Sequence, residues 1–294
     1  MKTSAFLVSY QKYHYENCFK DQLIYAKNHG FDAVEPGYGH ELSGPNGAEN
    51  AKSVKAEMDR LGLECSCYSH AISLINADKK ELLKMLRYSV DMCSVLGSPY
   101  LHHTFQTNMN KKHLSLYNAH KKEFVEFARE VAYYAGEKGV DCIYEDQGYL
   151  INTPERMCEL LYEINLSNTG ICLDVGNSLA YDIQPEAFAG ILAPFIKHVH
   201  LKDHIIKPVN QVRLTKGWYT SIGGNAIRDT IIGHGVINFE KIFTILLEAG
   251  YDGYFSLEYA APEETLYGIE QSLKNMKLFY DKAKYNLDCQ KGIK

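Results

Sequence analysis

The sequence predicts an α/β fold, a (β/α)8 TIM barrel with a long loop after its seventh strand, and three observations predict it. First, a helical period ends at glycine, followed by an apolar residue, an acid and a short β-rich run, at four places: Gly30-Phe31-Asp32, Gly62-Leu63-Glu64, Gly139-Val140-Asp141 and Gly250-Tyr251-Asp252. Glycine enters the left-handed backbone region without a Cβ penalty, so each copy stops a helix and hands over to a strand. Second, helical and strand periods alternate along the chain, which favours parallel strands joined by crossover helices. Third, the 294 residues exceed a barrel of about 250 residues by roughly one insertion. No GxGxxG follows the first strand, so a doubly wound dinucleotide-binding sheet is disfavoured.

Strands are predicted near 4–8, 33–35, 64–68, 100–104, 141–145, 170–174, 196–201 and 253–258. Helices are predicted near 18–28, 48–61, 79–96, 115–137, 153–164, 184–193, 239–249 and 262–283. Asn76-Ala77-Asp78 precedes the third helix, Thr153-Pro154-Glu155 opens the fifth and Pro185 the sixth, each a residue type suited to a helix start. The stretch 204–237 is irregular and carries Lys207, Arg213, Trp218, Gly223, Gly224 and Arg228. An aromatic, glycine-hinged loop of that length reads as a lid within one domain, 1–294, and no linker separates a second domain.

With 46% apolar and 23% charged residues, the composition excludes disorder as the main theme. A net charge of −5 offers no basic face for a phosphate backbone, so no nucleic-acid partner is expected. The eight cysteines (18, 65, 67, 93, 142, 158, 172 and 289) show no CxxC spacing and read as reduced, buried thiols. No apolar run approaches 18 residues, and the N-terminal run is shorter than a signal-peptide core, so a soluble, cytoplasmic protein without a membrane partner is expected. The 22 Tyr and 12 His stand out, the second pointing to imidazole or metal chemistry.

In such a barrel the active site is built from the C-terminal strand ends. These ends present Glu35, His70, His102 and His103, Glu145, Asp174, His200 and Glu258. Glu145 to Asp174 is 29 residues and Asp174 to His200 is 26, each one βα unit; His200 to Glu258 is 58, one unit plus the lid. A lone strand-end acid is most often a cap or an ion pair. Four candidates at consecutive strand ends instead point to a shared metal site of Glu145, Asp174, His200 and Glu258. Three carboxylates and an imidazole form a hard, oxygen-rich set: Mn²⁺ is the expected ion, with Mg²⁺, Co²⁺ and Zn²⁺ as alternatives. An ion with open positions would polarise a carbonyl beside a hydroxyl and stabilise the enediolate left when the carbon-bound proton departs. Glu145 and Glu258 are the expected catalytic acid/base pair, on opposite faces of that carbon. Of the adjacent His102 and His103 only one can face the interior; His198, one layer below His200 on the same face, reads as a hydrogen-bonded core histidine. The small-molecule substrate is expected to meet Glu35, His70, His103, Asn177 and Lys202, with Trp218 on the lid covering it. His14, His29, His40, His113 and His120 receive no role.

At these residues the sequence resembles the xylose isomerase-like TIM-barrel superfamily of sugar phosphate isomerases and epimerases, which also contains the apurinic-site endonucleases. The matching stretches are Gly30-Phe31-Asp32-Ala33-Val34-Glu35, Ile143-Tyr144-Glu145, Cys172-Leu173-Asp174-Val175-Gly176-Asn177, His198-Val199-His200-Leu201-Lys202-Asp203, Ile232 to Phe239, and Ser256-Leu257-Glu258. The resemblance implies one divalent ion on Glu145, Asp174, His200 and Glu258, acid/base roles for the two glutamates, and assembly as a homodimer or homotetramer. The chain also departs from the pattern. Ketose 3-epimerases carry a substrate-binding His three residues after the metal Asp, where Asn177 stands here, and an Arg after the metal His, where Lys202 and His204 stand nearby. Asn177 likewise removes a ligand of the endonucleases' three-metal cluster, and their Asp-x-His pair is missing around Ile227 to Asp229. The expected function is therefore a metal-dependent isomerase or epimerase of a ketose or related sugar. A metal-dependent dehydratase or lyase of a keto-cyclitol or 3-keto-glycoside shares the same enolisation and is the alternative, ahead of an apurinic-site endonuclease or a non-catalytic sugar-binding barrel.

Overall fold

The computed structural model describes residues 1–10, 19–107, 109 and 115–292; Cys18, His14 and His113 fall outside them. A parallel sheet runs β1 (Lys2–Phe6), β2 (Ala33–Glu35), β3 (Glu64–Cys65), β4 (Tyr68–His70), β5 (Tyr100–His103), β6 (Asp141–Glu145), β7 (Thr169–Asp174) and β8 (Ile196–Leu201), with β12 (Tyr254–Leu257) last in the chain. Its order is β3-β2-β1-β12-β8-β7-β6-β5-β4, and every pairing is parallel. The two ends of this order, β3 and β4, are halves of the single third strand expected from the sequence. They part at Ser66 and Cys67, where the Ser66 hydroxyl donates to the Val34 carbonyl and shares a hydrogen bond with Ser4. The chain then swings so that Ser69 bridges Gly37 beyond β2, which closes the ring at its mouth.

The helices α1 (Phe19–His29), α2 (Gly47–Leu61), α3 (Lys79–Leu96), α4 (Tyr117–Glu137), α5 (Pro154–Ile164), α6 (Pro185–Leu192), α7 (Phe239–Glu248) and α8 (Thr265–Gly292) alternate with the strands. The four punctuating glycines, 30, 62, 139 and 250, all have φ between 64° and 84°, as a left-handed helix stop requires. Asp78 caps α3 by accepting the Lys80 and Glu81 amides, and Thr153 caps α5 with Pro154 in its first turn. The core lies between the strands and this helical layer. Part of the tyrosine excess is spent there: Tyr10, Tyr68, Tyr144 and Tyr149 are fully buried, and Tyr280 packs edge-on against Phe243 and Phe255. Among the described residues, no helix is long and apolar enough to cross a membrane.

The stretch 204–237 corrects the expectation of an irregular loop. It holds an antiparallel sheet, ordered β10-β11-β9, of β9 (Asp203–Pro208), β10 (Trp218–Thr220) and β11 (Asn225–Thr230). Short β-branched runs, His204-Ile205-Ile206 and Ala226-Ile227-Arg228, supply the strands, and Gly224 at φ 89° turns the chain between β10 and β11. The buried Asp203 carboxylate fixes the base of this sheet by accepting the amides of His204, Gly233, Gly235 and Ile237. Gly235 is required there, because a Cβ would fall 2.2 Å from the Asp203 Oδ1.

Candidate metal centre

Glu145 and Asp174 are the last residues of β6 and β7, His200 is the penultimate residue of β8, and Glu258 follows β12 directly. Register brings them side by side: Asp174 is paired with His200, and His200 with Ser256 on β12. One donor atom from each of the four lies within 4.8 Å of the others. Three of the side chains are buried, and only Glu258 is partly open, at 18% exposure, which puts the open side of the cluster on that residue.

The donor set fits a divalent cation. His200 donates Nε2–H to Glu35 Oε1 at 2.8 Å, which leaves Nδ1 buried without a hydrogen bond, 3.9 Å from Glu145 Oε1 and 3.7 Å from Glu258 Oε2. A ligating histidine whose other nitrogen is held by a carboxylate has this arrangement. Asp174 turns Oδ1 to the amides of Gly176 and Asn177, and its Oδ2 pairs with the Lys202 ammonium at 2.6 Å. Burial pushes the Glu258 carboxyl up to about 8, with the negative charges of Asp174 and Glu145 adding to it against Lys202. Burial works against the charge of Glu145 too, but the imidazoles of His102 and His200, 3.0 and 3.9 Å from its oxygens, outweigh it and hold that carboxyl well below the usual range. For Lys202, burial is overcome by Asp174 and Glu258, and the ammonium is held well above its ordinary value.

Two of the expected substrate contacts reach this mouth. Lys202 Nζ lies 3.4 Å from Glu258 Oε2, and Asn177 Nδ2 donates to Glu145 Oε1 at 2.9 Å. The other four are placed elsewhere. Glu35 is fully buried beneath His200, with its oxygens taken by His198, His200 and Ser69. His103 points outward into the helical layer against Phe105, Phe127 and Tyr144, and its neighbour His102 is the one turned inward, 3.0 Å from Glu145 Oε2. His70 also points outward, bound to Ser89 on α3 and stacked 3.8 Å from the Tyr38 ring, while Ser69 takes the interior. Trp218 stacks on the Arg228 guanidinium, 5.2 Å away. The cross-strand pairs Trp218–Arg228, Tyr219–Ile227 and Asp229–His204 put Trp218 on one face of the sheet and Tyr219 with His204 on the other. The second face meets the mouth, since a Cβ at Gly176 would lie 2.4 Å from the His204 ring. Tyr219, rather than Trp218, is the aromatic turned that way.

Sequence reasoning took His103 over its neighbour His102 and missed Tyr219 and Phe6, the last a half-buried ring stacked 5.0 Å from His200. In a parallel barrel both faces of a strand are buried, so alternation carries no sign of which neighbour faces the interior. Only register decides it: Ser69 pairs with His102, and both bond into the interior.

Residues 23–279 match the family model of the xylose isomerase-like TIM barrel. The chain belongs to this family. Among curated relatives of this xylose isomerase-like barrel is inosose dehydratase 1 of Bacillus cereus, 29% identical over 151 residues, 51% of this chain and 50% of that protein. The chain thus spans about half the length of the curated relatives it matches. Among solved structures, the IOLI protein with a bound zinc atom superposes with a TM-score of 0.77 at 19% identity, covering 96% of this chain and 99% of that one. The D-psicose 3-epimerase of Clostridium cellulolyticum H10, crystallised with D-tagatose, gives 0.73 at 16% identity, covering 95% and 99%. At these identities the structural likeness shows a shared fold.

Proposed function

We propose that this barrel is a divalent-metal-dependent enzyme that removes a carbon-bound proton next to the carbonyl of a polyhydroxylated ketone, and that the resulting enediolate loses water, as a keto-cyclitol dehydratase does. The observation that carries the reaction class is the convergence of Glu145, Asp174, His200 and Glu258 within 4.8 Å around an unpartnered imidazole nitrogen. When bound there, a divalent ion supplies polarisation of the carbonyl and offsets the negative charge that develops on its oxygen. Mn²⁺ is the proposed ion, with Mg²⁺, Co²⁺ and Zn²⁺ as alternatives, and a homodimer or homotetramer in the cytoplasm is the proposed setting.

The two glutamates are not equivalent, and this favours elimination over epimerisation. Glu145 is buried and pinned by Asn177 and His102, whereas Glu258 stands at the open side. Glu258 is therefore the base that takes the proton, and the C–H electron pair becomes the new C=C bond. Lys202, 3.4 Å from Glu258, is placed to protonate the hydroxide that leaves the next carbon, so that water departs and an enone remains. The match to inosose dehydratases supports this reading. Epimerisation of a ketose is the second reading, favoured by the presence of both glutamates in one cluster; it needs Glu145 to return a proton to the opposite face.

Incubating the Mn²⁺-loaded protein with a keto-cyclitol in D₂O, followed by absorbance and NMR, separates the two. Growth of an enone band supports the dehydratase. Exchange of a ketose carbon-bound proton with no enone supports the epimerase, and neither signal from a keto-cyclitol and ketose panel contradicts both.

A further inference from the structure

The cluster is held from beneath by a chain of hydrogen bonds that crosses the barrel interior. Glu35, at the end of β2, reaches His198 and His200 on β8, 163 and 165 residues later in the chain. Between β2 and β8 in the sheet stand β1 and β12, so these are contacts across the interior and not between neighbouring strands. Three donors converge on the buried carboxylate: His198 Nε2 on Oε2 at 2.8 Å, His200 Nε2 on Oε1 at 2.8 Å, and the Ser69 hydroxyl on Oε1.

An ionised carboxylate only accepts hydrogen bonds. Both imidazoles must therefore carry a proton on Nε2, and any proton that an ion displaces from His200 is the one on Nδ1. Ser69 has a single proton, committed to Glu35, so it accepts from His102 Nδ1 at 2.9 Å. The other His102 nitrogen lies 3.0 Å from Glu145 Oε2. Hydrogen bonds thus join His200 to His102 through Glu35 and Ser69, and the last step, from His102 to Glu145, is an ion-pair contact.

We infer that Glu35 is a positioning residue which sets the tautomer of His200 and, through Ser69 and His102, the rotamer of Glu145, so that both present donor atoms to one ion. This rests on the ion-binding reading above. Glutamine at position 35 would keep one acceptor oxygen and turn an NH₂ group toward one of the three donors. To avoid two opposed N–H groups, an imidazole would have to move its proton to Nδ1, which in His200 is the ligand atom.

The test is titration of the metal-free protein with Co²⁺, read by its visible absorption, for the wild type, Glu35→Gln and Ser69→Ala, with circular dichroism to check the fold. Loss of an outer hydrogen-bond partner of a ligand weakens metal binding by roughly 10–100-fold. Glu35→Gln is expected to lose that much with an altered Co²⁺ band, and Ser69→Ala to shift both in the same direction by a smaller factor. Should Glu35→Gln fail to fold, Ser69→Ala decides alone. Folded variants that bind Co²⁺ within twofold of the wild type, with an unchanged band, would overturn the inference and leave the ion-binding reading intact. A wild type that takes up no Co²⁺ overturns the ion-binding reading itself.

Discussion

At the scale of single residues, the proposed chemistry rests on Lys202 as much as on the candidate ligand cluster. Its ammonium sits between Asp174 and Glu258, 2.6 and 3.4 Å away, where it can serve the departing hydroxyl but not replace the base. Lys202→Met is expected to lower the rate of enone formation by about 10²–10⁴-fold, in line with loss of a positioned acid, while exchange of the carbon-bound proton with D₂O persists. Loss of exchange to the same degree would place Lys202 in the first step instead. The two outward-facing histidines act on stability. Burial pushes His70 down to about 3 and His103 down to about 4, against 6.5 for the exposed group. The folded state thus binds fewer protons than the unfolded one between these values, so stability is full above pH 6.5 and is lost as pH falls toward 4. For His103 alone the loss is on the order of 3 kcal/mol. Replacing it by Phe, which suits its aromatic surroundings, should flatten the fall in urea-unfolding free energy between pH 7 and pH 4.5; an unchanged slope would show that His103 is not its source.

At the scale of elements, the helix-to-strand joints were legible because one residue type has one physical consequence: Gly30, Gly62, Gly139 and Gly250 all stop helices in the left-handed region. The four candidate ligands were readable as strand-end residues, since that needs only the correct strand end, and each of the four lies at or beside one. What required register was not legible. His102 and His103 are adjacent, both buried, and distinguished only by the pairing of His102 with Ser69. Glu35 looked like a mouth residue because it ends its strand, and its role beneath the cluster depends on partners more than 160 residues away. The sheet of β9, β10 and β11 was hidden because its strands are short and separated by the turn-rich stretches 209–217 and 221–224. That sheet hangs on Asp203, which makes it testable as a unit. Asp203→Asn keeps one acceptor oxygen and opposes an NH₂ group to backbone N–H groups, at an expected cost of about 3 kcal/mol. Hydrogen exchange of the amides of 203–237 should quicken ahead of those in the barrel strands. Uniform exchange across the molecule would mean that the carboxylate is not the anchor of this sheet.

At the scale of the whole molecule, the barrel gathers residues from β2, β4, β5, β6, β7, β8 and the end of β12 into a single polar interior, although the chain between Glu35 and Glu258 runs through more than two hundred residues. Three carboxylates facing one another at the mouth are a cost to the metal-free fold, which Lys202 only partly offsets. A divalent ion that binds the folded chain alone should therefore raise thermal stability, by about 2.7 kcal/mol at a free concentration one hundred times its dissociation constant. The most direct measurement is calorimetric titration of the chelator-treated protein with Mn²⁺, for the wild type and for Asp174→Asn. One ion per chain in the wild type, with binding lost or weakened at least a hundredfold in the variant, is the predicted result. No binding by the wild type, or equal binding by Asp174→Asn, would contradict the metal centre on which the proposed chemistry depends.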